Sequence, residues 1–128
     1  MRAFVIDTCG LLAAMVRVRD LTRLGRAIIE MAQDYQAELV VPTMTLVEAE
    51  LELRKRQRRF PDFLAAIMEA DYIRIEPLAL EQVRLLPDLL AVRDMHDRII
   101  VAHAITNDAP LMTSDHNIRN SGAVETVW

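Results

Sequence analysis

The order of patterns along this chain constrains its fold more than any single residue does. Short apolar runs alternate with longer stretches of helical period. "RAFVID" (residues 2–7), "ELVVP" (38–42), "YIRIEPL" (72–78) and "APLMTSD" (109–115) read as four strands, and "VETVW" (124–128) as a short final one. Between them, "GLLAAMVRV" and "DLTRLGRAIIEMAQDYQ" read as helices, the second with Leu21, Leu24, Ile28 and Met31 at helical spacing. "TMTLVEAELELRKRQRR" is a helix with Leu46, Ala49 and Leu53 on one face and Thr43 or Thr45 as its cap. "PDFLAAIMEA" is a helix with Pro61 early and Asp62 in its first turn. "ALEQVRLLPDLLAVR" is helical with a break near Pro87, and "HDRIIVAHAITND" is a further helix. Strands that alternate with helices predict an α/β fold: a mainly parallel central sheet of about four to five strands, flanked by helices on both faces.

Composition narrows the class. The chain has 128 residues, enough for one domain with a real core, and no repeat or linker divides it, so residues 1–128 read as a single unit. Hydrophobic residues make up 52%, and aromatics only 5%, so the core is built from aliphatic side chains and methionine. The single cysteine, Cys9, excludes a disulfide framework and a cysteine-rich zinc site, and reads as a small buried residue in a reducing cytoplasm. No apolar run approaches the ~18 residues of a membrane span, and Asp7 interrupts the N-terminal run where a signal peptide would continue. The net charge of −4 argues against a protein that coats nucleic acid, although a basic patch or a bound metal overrides that locally.

In parallel sheets of this kind, sites form beyond the carboxyl ends of the strands. Asp7 ends strand one and Asp115 ends strand four. Glu48 and Asp97 lie near the starts of helices, which run antiparallel to the strands and so begin at that same edge. Four carboxylates there would repel one another unless a cation held them. Each has an ordinary role as well: Asp7 as a helix cap, Asp115 as a turn residue, Glu48 as one of several solvated glutamates. Spacing places Glu48 and Glu52 on one helix face and does not choose between them, and Asp94 competes with Asp97 as the residue that enters the site.

The segments "VIDTCGLLA", "TMTLVEAEL" and "HDRIIVAHAITNDAPLMTSDHNI" resemble a PIN domain, in particular the VapC-type toxins of toxin–antitoxin pairs. The resemblance covers nearly the whole chain. It implies a metal-dependent endoribonuclease, with the family's acidic quartet on Asp7, Glu48, Asp97 and Asp115, and it selects Glu48 over Glu52. Mg²⁺ or Mn²⁺ is the implied cofactor, and RNA substrate, a cognate antitoxin and a second copy of the chain are the implied partners. Departures are small: Cys9 and Gly10 replace residues such as Ser and Ala, and Val47 stands where many members carry Trp.

Around the quartet, Thr8, Thr113 and Ser114 are expected to orient the carboxylates, and Asn117 to make a water-mediated contact. The basic run Arg54, Lys55, Arg56, Arg58 and Arg59 reads as either a solvated helix face or a contact for the RNA backbone. Arg98 is expected to stay outside the site and pair with an acid or a phosphate. His96, His103 and His116 lack a zinc-ligand spacing, and His103 reads as packed in its helix. Phe60, Phe63, Leu64 and Ile67 serve either a dimer contact or the core. The competing classes are a phosphate-handling signalling or phosphatase-like domain and a catalytically silent PIN-like binding module. The first is weakened by the missing Asp-x-Asp after strand one, the second by the intact quartet.

Overall fold

The computed structural model describes residues 1–128. Its strands are β1 (Arg2–Ile6), β2 (Ala37–Pro42), β3 (Ile73–Glu76), β4 (Leu111–Met112) and β5 (Thr126–Val127). Its helices are α1 (Thr8–Met15), α2 (Arg23–Gln33), α3 (Thr43–Lys55), α4 (Phe60–Glu69), α5 (Leu80–Val83), α6 (Met95–Thr106) and α7 (His116–Ser121). All five strands are parallel, in the order β3-β2-β1-β4-β5. The chain first builds outward from β1 to β3, then returns to the other side of β1 for β4. The switch point of the sheet therefore lies between β1 and β4, where open α/β sheets keep their ligand crevices.

Both faces of the sheet are covered, which explains why its central strands are continuously apolar. Phe4 and Ile6 of β1, Leu39 and Val41 of β2, and Met112 of β4 point into the larger core. Helices α1 to α4 close it with Leu11, Leu12, Ile28, Ile29, Leu46, Leu53, Phe63 and Ile67. Val5, Val40 and Leu111, one residue out of phase, point into the second core with Leu89, Val92, Ile100, Val101 and Ile118. Phe63 and Ile67 thus belong to the core, with Phe60 and Leu64 partly buried against it, rather than to a free contact face. No helix is long and apolar enough to cross a membrane.

Several local expectations need correction. Neither Thr43 nor Thr45 caps α3, whose N-terminus follows Pro42 directly. Thr45 is fully buried instead, and its hydroxyl donates to the Ile6 carbonyl at 3.0 Å, tying α3 to the end of β1. The stretch around Pro87 forms only the one-turn α5 and a short 3₁₀ turn over Leu86–Asp88, because Pro87 lacks the amide that a continuing helix requires. Strand β4 is two residues long, and Asp115 follows it as the N-cap of α7, a helix too short to show a period in the sequence. That helix ends on Gly122, whose φ of +70° is the left-handed C-cap conformation.

Candidate functional site: an acidic cleft at the switch point

Asp7 is fixed by its position between β1 and α1. It caps α1, accepting from the Gly10 amide at 2.8 Å through Oδ1. A Cβ on residue 10 would sit 2.9 Å from Ile6 Cγ1 and 3.2 Å from the Met112 carbonyl oxygen, so glycine lets α1 start hard against the switch point. The other oxygen of Asp7, Oδ2, accepts from the Thr113 hydroxyl. Thr113 Oγ1 also accepts from the Asp115 amide at 3.0 Å. One buried hydroxyl therefore links the carboxylate after β1 to the backbone after β4.

The other three carboxylates arrive from separate elements. Glu48 lies in α3, with Oε1 accepting from the Thr8 hydroxyl at 3.1 Å. Asp97 lies in the first turn of α6, capped by Asp94, whose Oδ1 accepts from the Asp97 amide at 3.1 Å. Asp115 caps α7, with Oδ1 accepting from the Ile118 amide at 3.0 Å. Asp7, Glu48, Asp97 and Asp115 together line a cleft of about 220 Å³ with Thr8, Cys9 and Ser114. Glu52 and Glu50 are engaged elsewhere, in ion pairs with Lys55 and Arg54, so the helix face that spacing left open resolves to Glu48.

The electrostatics follow from this crowding. Burial pushes the Asp7 carboxyl up to about 6, against the lowering effect of its bonds to Thr113 and Gly10, and the charges of Asp115 and Glu48 add to the rise. Asp97 is pushed up to about 7, first by burial and then by Asp94, Asp115, Glu48 and Asp7. The raised values record first the burial of the two carboxyls and then the like charge around them. All four cleft carboxylates offer oxygen donors, the ligand type that hard divalent ions such as Mg²⁺ and Mn²⁺ take.

The supporting residues differ from expectation in their partners. Thr8 serves Glu48 and the Thr45 carbonyl (3.4 Å) rather than Asp7. Thr113 serves Asp7 directly and Asp115 only through its amide. Ser114 pairs with Cys9, 3.2 Å away. Asn117 accepts from the Arg93 amide at 3.2 Å, and so braces the turn before α6 instead of reaching into the cleft. Arg98 braces the same turn: its guanidinium donates to the carbonyls of Val92 and Arg93, not to an acid. Cys9 is exposed at the mouth of the cleft, not buried, because Gly10 takes the inward position on α1.

In the basic run, Arg54, Lys55 and Arg59 are tied to Glu50, Glu52 and Asp62. Arg56 and Arg58 make no ion pair. Arg54 and Arg56, with Arg17, line a second cleft of about 550 Å³ that shares Thr8, Cys9 and Glu48 with the acidic one. His103 is packed as expected, fully buried, with Nδ1 bonded to Glu76. His96 has no ligand spacing in the sequence, yet its Nδ1 lies 3.5 Å from Glu48 Oε2. Its partner comes from another helix, a proximity that spacing within one segment does not reveal.

An all-parallel sheet with helices on both faces and a carboxylate cleft at its switch point is the architecture of a doubly wound α/β site protein. The PIN domain model matches residues 4–123, and the chain belongs to the PIN domain family. A comparison of the sequence with curated proteins finds no match. Among solved structures, the chain is similar to that of VapBC2 from Rickettsia felis bound to a DNA fragment from their promoter. The TM-score there is 0.75 at 13% identity, covering 98% of this chain and 97% of that one. It is also similar to Mycobacterium tuberculosis VapC20, a sarcin-ricin loop cleaving toxin, with a TM-score of 0.65 at 16% identity, covering 95% and 97%. A third similar structure is FitAcB from Neisseria gonorrhoeae, with a TM-score of 0.67 at 14% identity, covering 98% and 96%. At these identities the likenesses speak to the fold.

Proposed function

We propose that this chain is a metal-dependent endoribonuclease and the toxin half of a toxin–antitoxin pair. The observation that carries the reading is the convergence of Asp7, Glu48, Asp97 and Asp115, from four separate elements, on one cleft of about 220 Å³. Membership of the PIN domain family and the likeness to VapBC2 and VapC20 support it. The all-oxygen donor set suits Mg²⁺ or Mn²⁺. When bound, such an ion supplies a water of lowered pKa and offsets the charge of the phosphodiester under attack.

The chain's own residues then have three tasks. Asp7, Glu48, Asp97 and Asp115 hold the cation, and Asp7 and Asp97 release the protons that their raised values retain near neutral pH. Thr113 and the Gly10 amide orient Asp7, Thr8 orients Glu48, and the Ile118 amide orients Asp115. Arg17, Arg54 and Arg56 line the adjoining cleft together with Glu48, Glu50 and Glu52, and Arg56, the one of the three arginines without an ion pair, is the proposed contact for the RNA backbone. The cognate antitoxin and a second copy of the chain are the proposed protein partners, and the cytoplasm is the proposed compartment. The antitoxin is supported by the likeness to a VapBC assembly.

The test is cleavage of single-stranded RNA by the purified protein with Mg²⁺ or Mn²⁺, compared with chelator. Asp97→Asn keeps the shape of the side chain and removes its charge. It is expected to lower the cleavage rate by roughly a hundred- to a thousandfold, the scale of losing one preorganised electrostatic group. A folded Asp97→Asn protein that cuts at the wild-type rate would overturn the assignment.

A further inference from the structure

His96 is a potential nitrogen ligand beside the acidic cleft that the proposed reaction does not use. It sits in the first turn of α6, with its side chain 53% exposed and Nδ1 3.5 Å from Glu48 Oε2. Asp94, two residues earlier, offers a carboxylate to the same space. One ligand atom from each of Glu48, Asp94 and His96 lies within 4.8 Å of the other two. Thr8 occupies Oε1 of Glu48, which leaves Oε2 facing the imidazole. Neither Glu48 nor Asp94 is bonded to an arginine or lysine, so no fixed cation of the chain compensates the pair.

The spacing suits an ion. Nitrogen and oxygen ligands held at about 2.0–2.2 Å from a metal stand about 3 to 3.5 Å from each other. The His96–Glu48 separation is already of that size, and the exposed His96 side chain turns toward Asp94, which is held in place as the α6 cap. Their backbone is meanwhile held still: Arg98 and Asn117 pin the turn at Val92 and Arg93, and Asp94 caps α6. Asp94 caps α6 through Oδ1 alone, and no hydrogen bond or ion pair engages its Oδ2, the oxygen left for an ion beside His96 and Glu48.

We infer that Glu48, Asp94 and His96 form a second cation site of mixed nitrogen and oxygen donors, which takes ions of the Zn²⁺ or Co²⁺ type in preference to Mg²⁺. Imidazole favours those ions, whereas Mg²⁺ prefers an all-oxygen shell. The inference rests on the carboxylate-cleft reading only in that the two sites share Glu48. His96 lies outside the oxygen-only cleft, and Asp97 outside the mixed site.

Calorimetric titration with Zn²⁺ and separately with Mg²⁺ tests this on the wild type, His96→Ala and Asp97→Asn. Visible absorption of bound Co²⁺ provides a spectroscopic signature of the nitrogen donor. The wild type is expected to bind Zn²⁺ at least about tenfold tighter than Mg²⁺. His96→Ala is expected to lose about tenfold or more in Zn²⁺ affinity and to alter the Co²⁺ spectrum, while its Mg²⁺ affinity stays within about twofold. Asp97→Asn is expected to lose Mg²⁺ binding and keep the His96-dependent Zn²⁺ binding. Zn²⁺ affinity no greater than that for Mg²⁺, or Zn²⁺ affinity and a Co²⁺ spectrum that His96→Ala leaves unchanged, overturns the mixed site. Mg²⁺ binding that survives in Asp97→Asn instead overturns the nuclease reading, so the two failures are distinct.

Discussion

Asp7 and Glu76 each stand at the end of a parallel strand, and each accepts hydrogen bonds from more than one donor, yet the fold treats them in opposite ways. Burial alone pushes the Glu76 carboxyl up. Bonds from His103, Asn107 and Arg74 outweigh that and hold it below the usual glutamate range. The donors are His103 Nδ1, Asn107 Nδ2 at 2.9 Å and an Arg74 guanidinium nitrogen at 3.2 Å. Asp7 has the Gly10 amide and the Thr113 hydroxyl, but its charged neighbours are Asp115 and Glu48, and it is pushed up to about 6. Two things separate them: Asp7 is the more deeply buried, and the charges around it are of its own sign whereas Glu76 faces a guanidinium. The Glu76 cluster supplies its own cation and needs nothing from outside. It straps the edge strand β3 to α6, and His103, whose Nε2 is buried without a partner, has its one side-chain polar tie there. The Asp7 cluster has no arginine or lysine of its own, which supports the proposed cation site.

Divalent metal should expose the difference most strongly. At about a hundredfold excess over Kd, Mn²⁺ or Mg²⁺ is expected to stabilise the wild type by about 2.7 kcal/mol, read as a rise in melting temperature. Glu76→Gln should show the same gain, since the clamp at β3 holds none of the four carboxylates. Asp97→Asn should gain much less. A wild-type protein whose melting temperature ignores both ions would break the comparison at once.

Neutralisation should next have opposite signs in the two clusters. Glu76→Gln removes a charge that three donors hold, and is expected to cost about 1–3 kcal/mol in chelator. Asp97→Asn at pH 8 in chelator removes a repelling charge and is expected to raise stability, by less than about 1 kcal/mol because the side chain is only half buried. Urea unfolding midpoints of the two variants and the wild type decide this. A destabilised Asp97→Asn would mean that its charge is compensated within the fold.

The pH dependence carries the same contrast. Asp7 and Asp97 keep protons in the folded state up to about 6 and about 7, while the unfolded chain releases them near 4. Between pH 4 and 7 the folded state therefore binds more protons than the unfolded state, and these two groups make stability fall as pH rises. Glu76 is shifted the other way. Its contribution is present above the unfolded value and is lost as pH falls through its lower folded value. Thermal melting in chelator should thus show a decline from pH 4 to 7 that Asp97→Asn flattens. Glu76→Gln should instead weaken the loss of stability below pH 4. Saturating Mn²⁺ should remove the neutral-side decline, because the metal displaces the protons.

Much of this architecture is legible in the sequence because its determinants are local. The apolar runs of β1 and β2 announce strands covered on both faces, and Leu21, Ile28 and their neighbours announce α2. Strand–helix alternation places acids at the carboxyl edge, but spacing alone leaves Glu52 beside Glu48 and Asp94 beside Asp97, and the family resemblance is what selects Asp7, Glu48, Asp97 and Asp115. Contacts between distant segments are what stay hidden. Thr45 looks like a cap for its own helix and instead bonds Ile6, 39 residues away. Thr113 looks like a support for Asp115 and reaches Asp7, 106 residues away. Cys9 and Gly10 are adjacent, and the close approach of Ile6 and the Met112 carbonyl shows why the residue without a side chain faces inward. His96 lacks a ligand spacing because Glu48, the residue it meets, belongs to α3.

The smallest expected effect concerns the cationic rim beside the acidic cleft, where the structure divides a basic run that reads as uniform in sequence. Arg54, Lys55 and Arg59 are held by acids one turn away or less, in exposed pairs that contribute little to stability. Arg56 has no such partner and lines the 550 Å³ cleft with Arg17, whereas Arg58 lines a separate depression between α1 and α4. If the RNA backbone follows the larger cleft, one phosphate contact is at stake in Arg56→Gln. Losing it should raise KM about two- to threefold at moderate salt and reduce the slope of log KM against log salt by about one. Arg58→Gln should change neither. The maximal rate should be unaffected in both, since neither side chain enters the carboxylate cleft. Equal effects of the two substitutions would mean that the run acts only through its summed charge. No effect of either would make it a solvated helix end.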